Sequence, residues 1–529
     1  MDFDLLIRGG SVVDGSESAK AFHADVGIRG DAITDVGDLS GAAAARVIDA
    51  TGKIVAPGFI DMHTHSDYSS LDTPTADSKV LCGVTTEVLG QCGGSAFPIR
   101  GEALDRKMAA YEQGDVEIAW RDIDGYVAAA ERVGSSVNRA LMAGHNTIRG
   151  SVVGYSQRRA TPAELKEMVR EVEHALDRGV FGLTTGLIYP PGCYAPTEEI
   201  VALCRPVAAA GALYASHVRS EGDRLEDAIN EVLEIHEKSG VAVHVSHLKV
   251  SKRRNWHKID WLKQRLFSAR ADGADLTADR YPYLASATGL DSILPEWTYE
   301  GTEEDKLKRL RDRTMRESIR LEVEAAGYVG ADDWHAVLVS ECADRANRHW
   351  EGRRMDEIAR EMGLDPFDAL CTLLLADGGR TSAVFFHMKE DILDEILRWP
   401  FVMIGSDSSA REAVKARLRG KPHPRSYGTS ARVLGRYVRE RGVLTLEQAV
   451  WKLAGFPAKR LGLVDRGRVA AGLKADVVVF DAATVADQAT YEDPHRYAVG
   501  VDFVVVNGRL TVDNGRHLGT LAGKVLKRR

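Results

Sequence analysis

The chain has 529 residues, of which 44% are hydrophobic and 28% charged, a composition typical of a globular enzyme. Its formal net charge of -8 and its pI near 6.1 argue against nucleic acid as a partner. No apolar run reaches the roughly 18 residues that a membrane-spanning helix needs. The six cysteines show no disulfide-framework spacing, and the N-terminus lacks the pattern of a signal peptide. We therefore expect a cytoplasmic protein with no membrane partner.

Both ends of the chain predict short β-strands separated by turn residues. Residues 1–56 contain alternating or apolar runs punctuated by glycine pairs and Gly-Asp steps. Residues 461–529 have the same pattern, and Asn507-Gly508 is typical of a hairpin turn. We expect the two segments to form one small β-sandwich built from both termini.

The middle of the chain, residues 57–460, alternates predicted strands with helical patterns. The eight apolar strand candidates are Gly58–His63, Val84–Leu89, Arg139–Gly144, Val180–Thr185, Ala212–His217, Ala242–His247, Ala274–Asp279 and Phe401–Asp407. Between them lie helical patterns such as Pro162–Arg178, for which Thr161 and Glu164 form a capping box. Eight strands separated by helices predict an α/β fold of the (β/α)8, or TIM-like, barrel type.

The seventh and eighth predicted strands are too far apart for one strand–helix unit. The residues between them, approximately 285–400, contain the charged helical patterns Glu303–Ala326 and Met355–Ala376. We expect an insertion or lid before the last barrel strand.

The first predicted barrel strand ends in the motif GFIDMHTHSD, at residues 58–67. In a strand, residues two apart point to the same face, so His63 and His65 are expected to project together. Two imidazoles at the end of a buried strand form half of a metal site.

Other predicted strands also end in residues that bind metals or transfer protons. Cys92 follows the second strand, His145 the third, His217 the fifth, His247 the sixth and Asp407 the eighth. Active sites of such barrels lie at the C-terminal ends of the strands, so these side chains are expected to converge. His244 has the wrong strand parity relative to His247 and is expected to face the helical layer.

Several longer motifs resemble the amidohydrolase superfamily over essentially the whole chain. They are GFIDMHTHSD, SHVRSEG, VHVSHLK, ADRYPY, IGSDSS, HPRSYGTSARVLGRYVRE and GRVAAGLKADVVVFD. Together with Cys92 at the end of the second strand, they are most similar to the N-acyl-D-amino-acid deacylase (D-aminoacylase) branch. The fourth strand contains no lysine for a bridging carboxylate, which favours this cysteine-ligated branch.

The resemblance implies a zinc-dependent hydrolysis of an amide without a covalent intermediate. Cys92, His217 and His247 resemble the ligands of the tightly bound Zn²⁺, and a thiolate with two imidazoles suits zinc. His63 and His65 resemble a second, weaker metal position. Asp407 resembles the general base, which takes a proton from water and passes it to the leaving amine.

The α-carboxylate of an N-acyl-D-amino acid needs cationic and hydroxyl partners. By resemblance, Lys249, Tyr281 and Ser286 bind this carboxylate and select the D configuration, and Arg219 and Arg425 are further candidates. An ion pair of Arg219 with Glu221 or Glu226 is an equally weighted alternative. The segment Gly289–Pro295 contains no arginine, which favours apolar or neutral D-side chains over acidic ones.

Two alternatives remain open at this point. The chain could act on another amide, such as a cyclic amide, a D-dipeptide or a xenobiotic amide, or it could be a non-catalytic hydantoinase-like scaffold. All the expected ligands are present, which disfavours the scaffold. The expected partner is a small-molecule substrate, and the sequence leaves open whether the chain forms a homo-oligomer.

Overall fold

Eight parallel strands occupy the centre of the fold in the computed structural model, which describes residues 2–18, 20–111, 117–325, 333–414 and 418–528. All eight predicted strand positions form strands, with the third divided into two pieces. In chain order they are Phe59–Asp61, Val84–Leu89, Asn138–Leu141 with Ala143–Gly144, Gly182–Gly186, Leu213–His217, Ala242–Val245, Leu276–Arg280 and Val402–Ile404. The central part of the chain is therefore α/β, with parallel strands.

These strands belong to two hydrogen-bonded sheets. The first three pair in sequence order, and the short strand Val525–Leu526 adds to the outer side of the third. The second piece of the third strand continues through the fourth to the eighth. Hydrogen bonds also connect the first strand with the eighth: the Asp407 amide donates to the His63 carbonyl at 2.8 Å, and Thr64 forms a parallel bridge with Ser408. The ends of the first and eighth strands consequently lie side by side.

Helices connect the strands and cover them. The α-helices are Ser69–Asp72, Asp77–Val80, Gly101–Tyr111, Ile123–Val133, His145–Val152, Pro162–Asp177, Thr197–Ala209, Leu225–Ser239, Ile259–Ala271, Glu303–Arg311, Arg313–Ala325, Met355–Met362, Pro366–Ala376, Glu390–Arg398, Arg425–Arg432, Leu446–Val450 and Phe456–Leu461. The predicted capping box of Pro162–Asp177 is confirmed, with Thr161 and Glu164 each satisfying a backbone donor of the first turn.

The segment between the seventh and eighth strands contains a three-stranded antiparallel sheet with helices packed on it. Its strands are Ala285–Gly289, Val337–Glu341 and Ser382–Phe386, with the last of these in the middle. The helices Glu303–Arg311, Arg313–Ala325, Met355–Met362 and Pro366–Ala376 share a hydrophobic core with residues of this sheet. The segment thus has a core of its own.

The two long helices predicted in this segment are wrong, because each divides into two. The Asp312 carboxylate accepts a hydrogen bond from the Met315 amide at 2.9 Å and so caps a new helix. Gly363 ends the other helix in a left-handed conformation, and Asp365 then caps a helix that begins at Pro366. Capping residues inside the helical patterns explain both breaks.

Strands from the two chain ends share one nine-stranded sheet. Its members are Phe3–Val12, Phe22–Arg29, Ala32–Gly37, Ala44–Asp49, Ile54–Pro57, Val477–Phe480, Val501–Val506, Arg509–Asp513 and Arg516–His517. Ile54–Pro57 pairs with Val477–Phe480 and joins the N-terminal half to the C-terminal half. The prediction that both termini build one β-structure is consistent with this pairing.

Two further observations concern the chain as a whole. Within the described residues, no helix is long and apolar enough to cross a membrane. All six cysteines are described, and each has a free thiol. The cytoplasmic location expected from the cysteine spacing stays a prediction.

Candidate active site

One cysteine sulfur lies among three histidine rings at the C-terminal ends of the strands. The Cys92 Sγ atom is 3.2 Å from His63 Nε2, 3.3 Å from His247 Nε2 and 3.4 Å from His217 Nδ1. The last two nitrogens are 3.0 Å from each other. The four donor atoms therefore lie together although His63 and His247 are 184 positions apart in the sequence.

An unusual backbone conformation aims three of the side chains at this point. Cys92, His247 and Asp407 have φ angles of 52°, 36° and 53°, in the left-handed region that residues other than glycine seldom occupy. Such conformations cluster at functional sites, because the surrounding structure must hold them. Gly90, two residues before Cys92, has a φ of 81°, and a Cβ at this position would lie 2.1 Å from the Met142 carbonyl oxygen. The chain can make this approach only with glycine.

The electrostatics of the cluster favour a thiolate at Cys92 and a neutral ring at His217. Burial lowers the pKa of His63 and of His247, but Cys92 and the carboxylates of Asp279 and Glu221 outweigh it and raise both. Burial raises the pKa of the Cys92 thiol, but the adjacent His63, His247 and His217 outweigh it and hold that pKa well below its ordinary value. Burial and the neighbouring His247 both lower the pKa of His217, which keeps this ring neutral. Thiolate and neutral imidazole are the forms in which these side chains bind metals.

The donor set fits a zinc ion. In a tetrahedral zinc site with about 2.3 Å to sulfur and about 2.05 Å to nitrogen, neighbouring donors lie roughly 3.3–3.6 Å apart. The distances among Cys92, His217 and His247 are 3.0–3.4 Å. Three protein ligands leave a fourth position for water or substrate, as in catalytic zinc sites. These three residues would hold the tightly bound metal.

His63 and His65 lie on the other side of Cys92 and next to Asp407. The Asp407 Oδ1 atom is 2.9 Å from His65 Nε2 and 3.5 Å from His63 Nε2. His63, Cys92, His247 and Asp407 each offer one donor atom, and these four atoms all lie within 4.8 Å of one another. A second metal position at His63 and His65 would thus share Cys92 or Asp407 with the first.

Asp407 is buried and faces a cation. Its Oδ2 atom is 2.8 Å from Arg425 Nη1. Burial raises the pKa of the Asp407 carboxyl, but Arg425 and the histidines hold it well below its ordinary value. The carboxylate is therefore ionised and able to accept a proton.

Two of the predicted carboxylate-binding residues, Lys249 and Arg425, lie near the aromatic ring of a third, Tyr281. The Arg425 Cζ atom is 4.7 Å from the centre of the Tyr281 ring, and the Lys249 Nζ atom is 5.6 Å from it. The Tyr281 hydroxyl is buried and has no hydrogen-bond partner among the described residues. Ser286 contacts His387 of the insertion, with 3.0 Å between Oγ and Nε2. The buried hydroxyl beside two cations is suited to an anionic ligand.

Arg219 is not brought to this cluster. Its guanidinium lies 2.8 Å from the Glu231 carboxylate and also donates to the carbonyls of Cys193 and Ala195. The alternative partners weighed for it, Glu221 and Glu226, are therefore wrong, and Glu231 takes that place. Arg219 holds the loop that follows the fourth strand.

Two further sequence interpretations need correction. His145 begins the helix His145–Val152, and its Nε2 atom is 2.9 Å from Glu199, so it joins a buried ion-pair cluster instead of the cysteine site. His244 does not face the helical layer, because its Nε2 atom lies 2.8 Å from Asp279 beside the site. The parity argument fails because the strand ends at Val245, before His247.

The sequence interpretation missed residues that orient the ligands. The Asp279 carboxylate accepts hydrogen bonds from His63 Nδ1 at 3.1 Å and from the His247 backbone amide at 3.0 Å. Glu221 contacts Lys249 and lies 2.9 Å from His247 Nδ1. Asp279 ends the seventh predicted strand, and this position is the signal that could have identified it. Carboxylates of this kind fix the orientation of metal-binding histidines.

The chain matches known proteins over nearly its whole length. The model of an amidohydrolase family matches residues 46–378 and 402–512. A D-aminoacylase from Alcaligenes xylosoxydans xylosoxydans is 37% identical over 99% of this chain and 98% of its own. An N-acyl-D-glutamate deacylase from the same organism is 38% identical over 96% and 93%, respectively. The solved structure of N-acyl-D-glutamate deacylase from Bordetella bronchiseptica, complexed with zinc and a phosphonate inhibitor, superposes with a TM-score of 0.83 at 32% identity and full coverage of both chains.

Proposed function

The chain belongs to the amidohydrolase family, and from this premise we propose that it is a zinc-dependent N-acyl-D-amino-acid deacylase. It hydrolyses the amide bond of an N-acyl-D-amino acid to a carboxylate and a free D-amino acid. The relatives that match along its full length are hydrolases of this kind by name. The non-catalytic scaffold has no support, because every ligand residue is present.

The observation that carries the proposal is the position of Asp407 relative to the cysteine site. Cys92, His217 and His247 present three donors suited to one zinc ion, and Asp407 lies within 4.8 Å of two of them, Cys92 and His247. Arg425 contacts Asp407 and lies over the ring of Tyr281, whose hydroxyl has no hydrogen-bond partner among the described residues. A metal site, a base and an anion-binding group in one place are what hydrolysis of an acyl-amino acid requires.

Each of these residues has a defined part in the reaction. Zinc, when bound, polarises the acyl carbonyl and makes hydroxide available near neutral pH. Asp407 takes a proton from the attacking water and passes it to the leaving nitrogen, so the C–N bond breaks as the water oxygen joins the acyl carbon. Lys249, Tyr281, Ser286 and Arg425 bind the α-carboxylate. Asp279 keeps His63 and His247 oriented.

The relatives named D-aminoacylase and N-acyl-D-glutamate deacylase support selection of the D configuration. With the amide at the metal and the α-carboxylate at Tyr281 and Arg425, the side chains of the two enantiomers would point in different directions, so the site could distinguish them. The expectation of a neutral or apolar side chain came from the lack of arginine in the segment Gly289–Pro295. Leu290, Ile293 and Leu294 of this segment pack into the core of the insertion and not into the pocket, so the side-chain preference stays a prediction for the assay below.

The finer architecture and metal content belong to the same proposal. The bonds between the first and eighth strands support a closed (β/α)8 barrel over residues 57–460, with residues 285–400 as its insertion and residues 1–56 and 461–529 as a β-sandwich. One zinc is bound tightly at Cys92, His217 and His247, and His63 and His65 form a weaker second site. The partner is the small-molecule substrate.

A chiral assay tests the function. The zinc-loaded protein is incubated with N-acetyl-D-methionine, N-acetyl-L-methionine and N-acetyl-D-glutamate, and release of free amine is followed. We expect rapid turnover of the D-methionine compound and little of the other two. Equal turnover of both enantiomers would contradict D selectivity. No release from any of them, with zinc bound, would contradict the deacylase function and direct the search to cyclic or xenobiotic amides.

A further inference from the structure

A cavity adjoins the proposed active site at His65. Its volume is about 310 Å³, which lies in the range of small-molecule sites. Besides His65, its walls include the side chains of Ile99, Ala103, Arg106, Lys107 and Tyr155. None of the residues proposed to bind the α-carboxylate is among its lining residues. The cavity therefore offers room that the amino-acid half of a substrate does not use.

The position of the cavity assigns it to the acyl half of the substrate. It is lined by residues that follow the first three parallel strands, such as Asp67, Ser95 and Thr147. The α-carboxylate residues Lys249 and Tyr281 instead follow the sixth and seventh strands. A substrate whose amide lies at the metal and whose carboxylate points to the later strands must direct its acyl chain towards the earlier ones.

The walls of the cavity combine aromatic rings with two cations. The Lys107 Nζ atom is 3.9 Å from the centre of the Tyr68 ring, and the Arg106 Cζ atom is 3.9 Å from the centre of the Tyr155 ring. Asp67 is the one acidic side chain in the lining. Its carboxylate accepts a hydrogen bond from the Gly90 amide at 3.2 Å. Asp67 offsets part of this charge at Lys107, and the Arg106 guanidinium also donates to the Gly301 carbonyl, so the lining keeps a net positive charge that favours an anionic group in the cavity.

Apolar surface also lines the cavity. Ile99 and Ala103 are buried and line the same cavity. Methylene groups packed against these side chains would leave water, and a terminal carboxylate would then reach the cations.

We propose that this cavity binds the acyl group of the substrate and that Arg106 and Lys107 select acyl groups ending in a carboxylate, such as succinyl. The inference rests on the proposed function and specifies its substrate class as N-(carboxyacyl)-D-amino acids. Hydrolysis breaks the amide C–N bond, the water oxygen joins the acyl carbon to form a carboxylate, and both water protons end on the amine nitrogen, which leaves as an ammonium group. The products of a succinyl substrate are succinate and the free D-amino acid.

The test compares butyryl and succinyl groups, which have the same number of carbon atoms, with the shorter acetyl group on the zinc-loaded full chain. Acetyl, butyryl and succinyl derivatives are prepared of whichever D-amino acid is turned over faster in the chiral assay, and kcat/KM is measured for each. We expect the kcat/KM of the succinyl compound to exceed that of the butyryl compound about tenfold or more, because one hydrogen bond to a charged group contributes at least that factor. A butyryl compound that is hydrolysed equally well or better would overturn the inference while leaving the deacylase function in place. Failure of all three compounds would overturn both.

Variants identify the source of the preference. Lys107→Met should lower the succinyl-to-butyryl ratio at least fivefold, and Lys107→Glu should bring it below one. Lys20→Met, at an exposed lysine in the N-terminal segment, is the matched control and should keep the wild-type ratio. Lys107 is only half-buried, so both variants should fold. An unchanged ratio in both Lys107 variants would overturn the assignment of the carboxylate to this cavity.

Discussion

Arg425 and Asp407 form a buried ion pair, with 2.8 Å between Nη1 and Oδ2. The other carboxylate oxygen, Oδ1, lies 2.9 Å from His65 Nε2. A group proposed to bind the substrate carboxylate thus touches the group proposed to move the proton. An α-carboxylate bound at Arg425 would share the charge of Arg425 with Asp407, which would make the aspartate a better proton acceptor. We therefore expect substrate binding and proton transfer to be coupled through this pair.

Replacing Asp407 should remove proton transfer without removing the fold. Asp407→Asn keeps the shape of the side chain but cannot accept a proton, and we expect kcat to fall roughly 10²- to 10⁴-fold. The measurement is steady-state kinetics on N-acetyl-D-methionine, with circular dichroism to verify folding. A kcat within threefold of the wild type would show that another residue is the base.

Removing the thiolate should remove zinc. In Cys92→Ser the hydroxyl does not ionise at neutral pH, so a strong ligand is lost and we expect less than one tenth of the wild-type zinc after dialysis. Zinc is measured by atomic absorption. Cys371→Ser is the matched control, because Cys371 lies in the core of the insertion, and it should retain its zinc. Full zinc content in Cys92→Ser would exclude this cysteine as a ligand.

Lys249 should contribute to binding of the α-carboxylate. We expect Lys249→Ala to lower kcat/KM for an N-acyl-D-amino acid roughly 10- to 100-fold, since hydrogen bonds to charged groups contribute about 1.5–3 kcal/mol. Lys263→Ala is the control, because Lys263 is exposed and its ion pair with Glu395 involves none of the proposed site residues. Unchanged turnover in Lys249→Ala would argue for a substrate without the carboxylate, such as a cyclic amide.

Lys79 should stabilise the turn that carries Asp407. Its buried ammonium group donates to Asp61 at 3.0 Å, to the Ser406 hydroxyl at 2.7 Å and to the Ser408 carbonyl at 3.1 Å. Lys79→Met leaves the Asp61 charge buried without its cation, and we expect a loss of about 3–5 kcal/mol in the free energy of unfolding. Urea unfolding measures it. The double variant Lys79→Met with Asp61→Asn should recover part of the loss, and no recovery would point to lost packing instead.

Much of the fold could be predicted from local patterns. The eight strand positions, the capping box at Thr161 and Glu164, and the strands at both chain ends follow from apolar periodicity and capping, which act over a few residues. The long predicted helices failed because Asp312 and Gly363 were read as helical when each ends or caps a helix. A residue with two local roles cannot be assigned by periodicity alone.

The candidate site was likewise predicted only in part from the sequence. Strand-end position and family motifs identified Cys92, His217, His247 and Asp407 in the sequence. Only the folded chain decided the direction of each side chain, because Cys92, His247 and Asp407 leave the extended conformation and strand parity no longer applies. Only the folded chain likewise shows that Arg219 pairs with Glu231, that Asp279 contacts His63, and that Arg106 and Lys107 line a cavity with His65. Such contacts depend on the positions of several chain segments at once, whereas residue type and strand position are properties of one segment.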